Sequence, residues 1–258
     1  MTATLDTDDE PTPTSTPVPH LKYVDDDACP STGAGTPSDS FCSIQIAIGN
    51  ASPSDTILVG SGTYTGPVTV NKDVTLTGQS SPMVIGGPIT FDGSGTGAII
   101  DGFAVIKIGA GAHGVTVRNN TISGGAQYGI HIDGASDNTI EDNELIGSSD
   151  CISLGELAGG NAVRRNTIAA CDQSGVHVAG SNNTILDNTV LGAPVTGIVI
   201  AHLSGNLVEN NLVKDSGRDG IAVILGATIL QFTPIRSPAL TRPESRSTRQ
   251  LTLQSEKT

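Results

Sequence analysis

Between about Gly114 and Val223, apolar residues recur at every second position in short bursts separated by Gly, Asn, Ser and Asp. One burst has the form N-x-aliphatic-x-x-N-x-aliphatic. It reads NTIEDNEL from Asn138, NAVRRNTI from Asn161, NTILDNTV from Asn183 and NLVENNLV from Asn206, with starts 23, 22 and 23 residues apart. A degenerate copy, VTVRNNTI, begins at Val115. A second burst reads GIHI at Gly129, CISL at Cys151, GVHV at Gly175, GIVI at Gly197 and GIAV at Gly220, spaced by 22, 24, 22 and 23. Two phrases locked to one period identify a solenoid.

Alternation of period two is strand periodicity, one side chain in and the next out. No run is long enough for a helix within the repeats, the L-x-x-L-x-L frame of a leucine-rich repeat is missing, and so is the Gly/Asp nonapeptide of calcium-binding β-rolls. The predicted fold is all-β: a right-handed parallel β-helix with three short strands per coil of about 23 residues. Stacking then sets equivalent residues in rows about 4.8 Å apart. Ile130, Ile152, Val176, Ile198 and Ile221 form one interior row, Ile132, Leu154, Val178, Ile200 and Val223 the next, and Ile140, Val163, Ile185 and Val208 line another wall. Asn120, Asn143, Asn166, Asn188 and Asn211 form a structural asparagine ladder at a turn. Asn tolerates the left-handed backbone such a turn needs, and stacked amides can bond along the axis.

Ahead of the repeats, Ile44, Ala47 and Ile48 sit at helical spacing after Ser43, a potential N-cap. A short helix there would cover the open end of the stack and its unpaired edges. DTILVG, from Asp55, is the expected first strand. The chain therefore divides into a Thr/Pro/Asp-rich linker at 1–22, an N-terminal cap at 23–54, the β-helix at 55–230 and an irregular basic tail at 231–258. For the tail, disorder and a shifted reading frame both fit the loss of the repeat.

Composition narrows the function classes. A formal net charge of −13 argues against nucleic acid, whose phosphates demand a basic face. It also makes polyanions awkward ligands without bridging cations, and leaves neutral glycans or a cell-surface polymer as easier partners. The longest apolar run, Ile221 to Leu230, is too short to span a bilayer. The linker composition resembles the segment that follows an export signal or lipid anchor, so a protein outside the cell or at its surface is expected, with a cytoplasmic protein carrying a disordered arm as the alternative. Cys29 and Cys42 bracket a Ser/Gly/Pro-rich loop and are expected to form a disulfide in an exported protein. For Cys151 and Cys171, an inter-coil bridge and two buried thiols remain equal alternatives. No oligomeric state follows from the pattern.

The order CSIQIAI, then SPSDTILVGSGTYTGPVTVNKDVTLTG, resembles the cap and first coils of bacterial right-handed β-helix proteins of the pectin-lyase-like superfamily. The later N-T-I repeats resemble its NosD-type, or carbohydrate-binding and sugar-hydrolase, branch. The resemblance covers about Tyr23 to Val223 and speaks to fold, since this fold hosts lyases, hydrolases, epimerases and inert adhesins. It implies that any site lies on the outer surface of parallel coils.

On the GIxI strands the residue between the aliphatics points outward, giving His131, Ser153, His177, Val199 and Ala222; the residue before each phrase is Tyr128, Asp150, Ser174, Thr196 or Asp219. The candidate catalytic set on this face is Tyr128, His131, Asp133, Asp150 and His177. SDCISLG, Ser149 to Gly155, resembles the D-D-C-[IV]-[AS]-[IVL] segment of polygalacturonase-like hydrolases, in which paired acids act on water and leaving oxygen. That family's other positions fall on Tyr128, Ser149 and Ser174, so only Asp150 remains. Tyr128 with His131 could serve as acid and base; the plainer alternative, which we favour, is that the two histidines are ordinary exposed strand residues. A lyase or epimerase would need a charge neutraliser, but Arg118, Arg164 and Arg165 fall in the N-x-I phrases, on another face. His131 and His177, two coils apart at roughly 9.6 Å, are too far apart to share an ion. No cofactor is expected, with calcium at Asp25, Asp26 and Asp27 the one alternative. The leading expectation is an extracellular β-helix that presents a polar face to a glycan or cell-surface polymer without catalysis. The alternatives are a polysaccharide lyase, hydrolase or epimerase with its site on the GIxI face, and a structural scaffold with no ligand.

Overall fold

The computed structural model describes residues 19–80, 82–85, 89–92, 97–103, 106–109, 111–123, 127–201, 205–224 and 229–233. The expectations for 1–18 and 234–258 lie outside these residues. The strands pair in parallel throughout and build three walls. A long sheet of ten strands runs from Leu21–Val24 to Ile229–Thr233 and carries the N-x-I phrases. A sheet of eight strands, from Val68–Val70 to Asp219–Ile224, carries the GIxI phrases. The third wall is a narrow sheet of five strands from Thr121–Ser123 to Leu212–Lys214, with Thr63–Thr65 and Met83–Ile85 paired on their own in the early coils.

Pairing follows the period in the sequence: Thr116 lies beside Thr139, Thr139 beside Ala162, and Ala162 beside Thr184. The interior rows are as expected except at their last members, Ile221 and Val223, which are half-buried. Ile130, Ile152, Val176 and Ile198 are fully buried, as are Ile132, Leu154, Val178 and Ile200, and Ile140, Val163 and Ile185. Burying each such side chain contributes about 1.5–3 kcal/mol against the entropy of ordering it. Phe91 and Phe103 are the largest buried side chains of the irregular early coils.

The corners correct one expectation. The positive-φ residues are Asn119, Asp142, Arg165, Asp187 and Asn210, each immediately before a ladder asparagine. The left-handed residue turns the chain, and the buried Asn that follows supplies the bonds. Asn143 Oδ1 accepts from the backbone N–H and the side-chain amide of Asn120, at 3.0 and 2.9 Å. Its own Nδ2 donates to Val117 O at 3.0 Å and to Asn166 Oδ1 at 2.9 Å. The pattern repeats through Asn166, Asn188 and Asn211. A second ladder, not foreseen, runs through Asn138, Asn161, Asn183 and Asn206 at the other side of the long sheet, with the same paired acceptors.

The third corner is built differently. Ser148, Cys171, Ala193 and Ser216 each follow a positive-φ residue, and each lies in the coil after a member of the row Gly129, Cys151, Gly175, Gly197. A Cβ on Gly129 would meet Ser148 Oγ at 3.3 Å, and one on Gly197 would meet Ser216 Oγ at 3.0 Å. Where the row carries Cys151, its neighbour is Cys171, and the two form a buried disulfide between consecutive coils. Cys29 and Cys42 are also bridged.

The first strand is Leu21–Val24, ahead of the expected one, and pairs with Thr56–Val59. Its polar Lys22 and Tyr23 hide it from a search for alternating apolar residues. Helix Ile44–Asn50 buries Ile44, Ala47 and Ile48; Ser43 is its N-cap residue by backbone, but its side chain makes no capping bond. Gln45 instead closes the edge of the GIxI sheet, accepting from Thr69 N–H at 2.8 Å and donating to Thr69 O at 3.3 Å. Lys72 Nζ takes up Ile48 O, Gly49 O and Ala51 O at the helix end, at 2.9, 2.8 and 2.8 Å.

Asn166→Ala strips acceptors from Asn143 inside the wall, and is expected to cost about 2–4 kcal/mol by denaturant unfolding. Asp187→Gly, at an exposed left-handed corner, should cost less than about 1 kcal/mol. The double variant Cys151→Gly/Cys171→Ser reproduces the Gly129–Ser148 pair and should retain the β-sheet circular dichroism while losing up to about 3 kcal/mol.

Candidate functional site

The five GIxI strands Tyr128–Ile132, Asp150–Leu154, Ser174–Val178, Thr196–Ala201 and Asp219–Ile224 stand in register. Pairing steps over the Gly129, Cys151, Gly175 and Gly197 positions, where the chain bends around the inside of the third corner. The bend lets residues three apart share the outer face. One outward row is therefore Tyr128, Asp150, Ser174, Thr196 and Asp219. The other is His131, Ser153, His177, Val199 and Ala222, by backbone register.

Two of the five candidates are brought into contact. The rings of Tyr128 and His131 stack at 4.3 Å between centroids and 14° between planes. Gln127, which sequence reading passed over, donates to the Tyr128 hydroxyl at 3.0 Å. Ser153, expected as an outward polar residue, is buried, because it is the small member of a row between the imidazole-bearing positions 131 and 177. His177 lies half-buried one rung beyond it.

Asp150 and Asp133 occupy different places on the face. Asp150 Oδ1 accepts the backbone N–H of Ser174 at 3.1 Å, which ties its coil to the next. Asp133 is exposed just past the end of its strand, opposite Gly155 in the continued register. Five residues of chain, at most roughly 16 Å if fully extended, separate the Asp150 rung position from that of Asp133. Paired glycosidase carboxylates stand about 5–5.5 Å apart in retaining enzymes and about 6.5–9.5 Å apart in inverting ones.

The arginines lie on the long sheet, as expected, and are committed to ion pairs there. Arg118 Nε meets Asp101 at 3.2 Å and Arg164 Nε meets Glu141 at 2.7 Å. Arg165 bridges Asp142, at 2.9 Å through each of two nitrogens, and Glu141, at 2.7 Å. Burial alone would raise the Glu141 carboxyl, but hydrogen bonds from Arg164 and Arg165 outweigh it and hold the pKa below the ordinary carboxylate value. Arg165 likewise holds Asp142 down.

The N-terminal acids are also structural. Asp25 caps a short 3-10 helix, Asp26–Ala28, by accepting from Asp27 N–H at 3.1 Å, and Asp26 accepts from Thr63 N–H at 2.9 Å. Tyr64 donates to Gly60 O at 2.9 Å, and burial together with the nearby Asp26 and Asp25 charges pushes its phenol up to about 12. Among the described residues, no group of three or more His, Cys, Asp or Glu side chains converges to hold a metal.

Comparison with known proteins places the chain. The family model described as periplasmic copper-binding protein (NosD) matches residues 48–230. The chain belongs to the NosD family. No curated protein sequence matches it. Among solved structures, DFA-IIIase from Arthrobacter chlorophenolicus A6 in complex with GF2 is similar at 15% identity and a TM-score of 0.53, over 69% of this chain and 54% of that one. The Dettilon tailspike protein is similar at 14% identity and a TM-score of 0.53, over 70% of this chain and 41% of that one. The NosD-family chain thus spans about half the length of these structures or less. At such identities the likeness speaks to fold: a right-handed parallel β-helix of the pectin-lyase-like kind.

The copper in the family's description finds no matching donor set in these residues. Copper favours thiolate, thioether and imidazole donors. Cys151 and Cys171 are locked in a disulfide, and a serine rung separates His131 from His177. No chemistry is therefore routed through that metal.

Asp150→Ala removes the acceptor of Ser174 N–H and should cost about 1–2 kcal/mol in unfolding experiments, whereas Asp150→Asn keeps an acceptor oxygen and should cost less than half of that. Glu141 and Asp142 have folded pKa values below their ordinary values of 4.5 and 3.8. Their contribution to stability is thus present above those values and lost as the pH falls through the lowered ones. Melting temperatures measured across acid pH should fall in that window, and less steeply for Arg165→Gln.

Proposed function

We propose that this NosD-family β-helix binds a glycan or cell-surface polymer on the outer face of its GIxI sheet, outside the cytoplasm and without catalysing a reaction. The observation that carries the reading is the stacked Tyr128–His131 pair beside axial rows of hydroxyl, carboxylate and imidazole groups. A polymer running along the axis meets a new set of polar groups about every 4.8 Å. Sugars offer both an apolar ring face for the aromatic platform and hydroxyls for the rows.

Absence of catalysis is supported by how the acids are placed. Asp150 holds the neighbouring backbone, and Asp133 stands far from it along the strand. Two disulfides support a location outside the cytoplasm, where such bonds persist. The periplasmic label of the family model points the same way. Among the described residues, no helix is long and apolar enough to cross a membrane.

Glycan binding can be screened on an oligosaccharide array and then measured by calorimetry. The double variant His131→Ala/Asp150→Asn should weaken the best ligand at least tenfold while leaving the melting temperature within a few degrees of wild type. Incubation with that ligand should release no reducing ends and no unsaturated product. Turnover by the wild type that disappears in the double variant would replace this reading with that of a carbohydrate-active enzyme.

A further inference from the structure

We infer that Ser153 is a specificity-determining residue of this face and selects a neutral hexose polymer by its primary hydroxyl, a refinement that rests on the glycan reading above. Elsewhere the fold matches its buried polar side chains with care. The ladder asparagines are bonded from coil to coil, and Asp55 takes the N–H groups of His20 and Ser52. On the outer face of the GIxI sheet the case is different. Ser153 is only 3% exposed, and among the described residues nothing bonds to its hydroxyl. Its oxygen is nevertheless not sealed from solvent. A polar group held in that state calls for a partner from outside the chain.

The surroundings of Ser153 set what that partner can be. Its neighbours Ile152 and Leu154 are buried inside the coil, so Ser153 points outward, between His131 on the rung before and His177 on the rung after. Those two positions stand roughly 9.6 Å apart, with the serine as the floor between them. An opening that leaves 3% of the serine accessible admits a one-carbon branch and not a sugar ring. The Tyr128–His131 stack lies on the neighbouring rung, about 4.8 Å along the axis, so a sugar ring laid on it holds its C5 branch near the serine. A serine hydroxyl both donates and accepts, which suits an alcohol. Asp150, three residues earlier on the same strand, opposes a carboxylate there. The primary hydroxyl of a hexose meets all of these conditions. A pentose lacks the branch, and a uronate carries a charge on it. A site built to bond a hydroxyl discriminates strongly against a ligand that lacks one.

The test is calorimetric titration of the full chain with cello-oligosaccharide, its C6-oxidised uronate and xylo-oligosaccharide of the same length, which share a backbone and differ at that branch. Manno- and galacto-oligosaccharides extend the set of hexoses. The best hexose oligomer should bind at least tenfold tighter than either the xylo-oligosaccharide or the uronate. Ser153→Ala removes the hydroxyl, and Ser153→Val also fills the opening. Each should lose at least tenfold for the best hexose, keep the xylo-oligosaccharide within threefold of its wild-type affinity, and melt within a few degrees of wild type. Equal affinity for hexose and pentose oligomers would overturn the role of Ser153 and leave the glycan site standing. Unchanged affinity in both variants would mean that an ordered water alone fills the opening. Equal loss for every ligand would mean that the serine only shapes the face. Either result overturns the inference. Binding of none of these oligomers overturns this inference alone, whereas an array without any ligand removes the glycan reading with it.

Discussion

The structure depends on buried carboxamides having nowhere to find partners except in the next coil. Each ladder asparagine is shielded from water, and an unsatisfied amide there costs on the order of 1–3 kcal/mol. Its oxygen takes two donors from the preceding coil, and its nitrogen reaches back to a carbonyl and forward to the next asparagine. The backbone N–H groups at two corners of every regular coil are thereby accounted for. A slip of one residue would leave several buried polar groups unmatched at once, so the ladders hold the register that packing of Val and Ile alone would hold loosely. At the third corner, small residues and one disulfide take over.

Fixed register is what turns the outer surface into rows. Much of the chemistry that a motif search would single out is consumed in holding those rows: Asp150 on a neighbouring N–H, Asp26 on Thr63, and Arg164 and Arg165 on the acids of the rung beside them. The stacked rings of Tyr128 and His131 stand on the same outer face. A site on this scaffold is shaped by which residues the repeat leaves unused.

The strand rows were legible because their period is carried by apolar side chains, and a burial pattern repeated over successive coils leaves little freedom. The first asparagine ladder was legible for the same reason. Its companion through Asn138 and Asn161 opens the repeated phrase itself, where the sequence does not distinguish a consensus residue from a second buried row. The left-handed residue fell one position away from the expected Asn because φ and burial belong to adjacent residues, which a sequence pattern cannot separate. The disulfide at Cys151 had a signal in the sequence: both cysteines replace members of regular Gly and Ser/Ala rows that become neighbours only once the coil is closed. Lys72 and Gln45 act across some twenty residues of irregular chain, with no period to announce them. At the candidate site, the outward direction of His131 and His177 followed from alternation, whereas the Tyr128 stack required the bend at Gly129.

The central claim is that two asparagine rows run unbroken through the wall, each amide bound to the next coil. Hydrogen–deuterium exchange of the side-chain amides, followed by NMR, addresses it directly. The Nδ2 protons of Asn143, Asn161, Asn166 and Asn188 should exchange orders of magnitude more slowly than those of exposed Asn119 and Asn182. Exchange of all six at the rate of free asparagine would contradict the account.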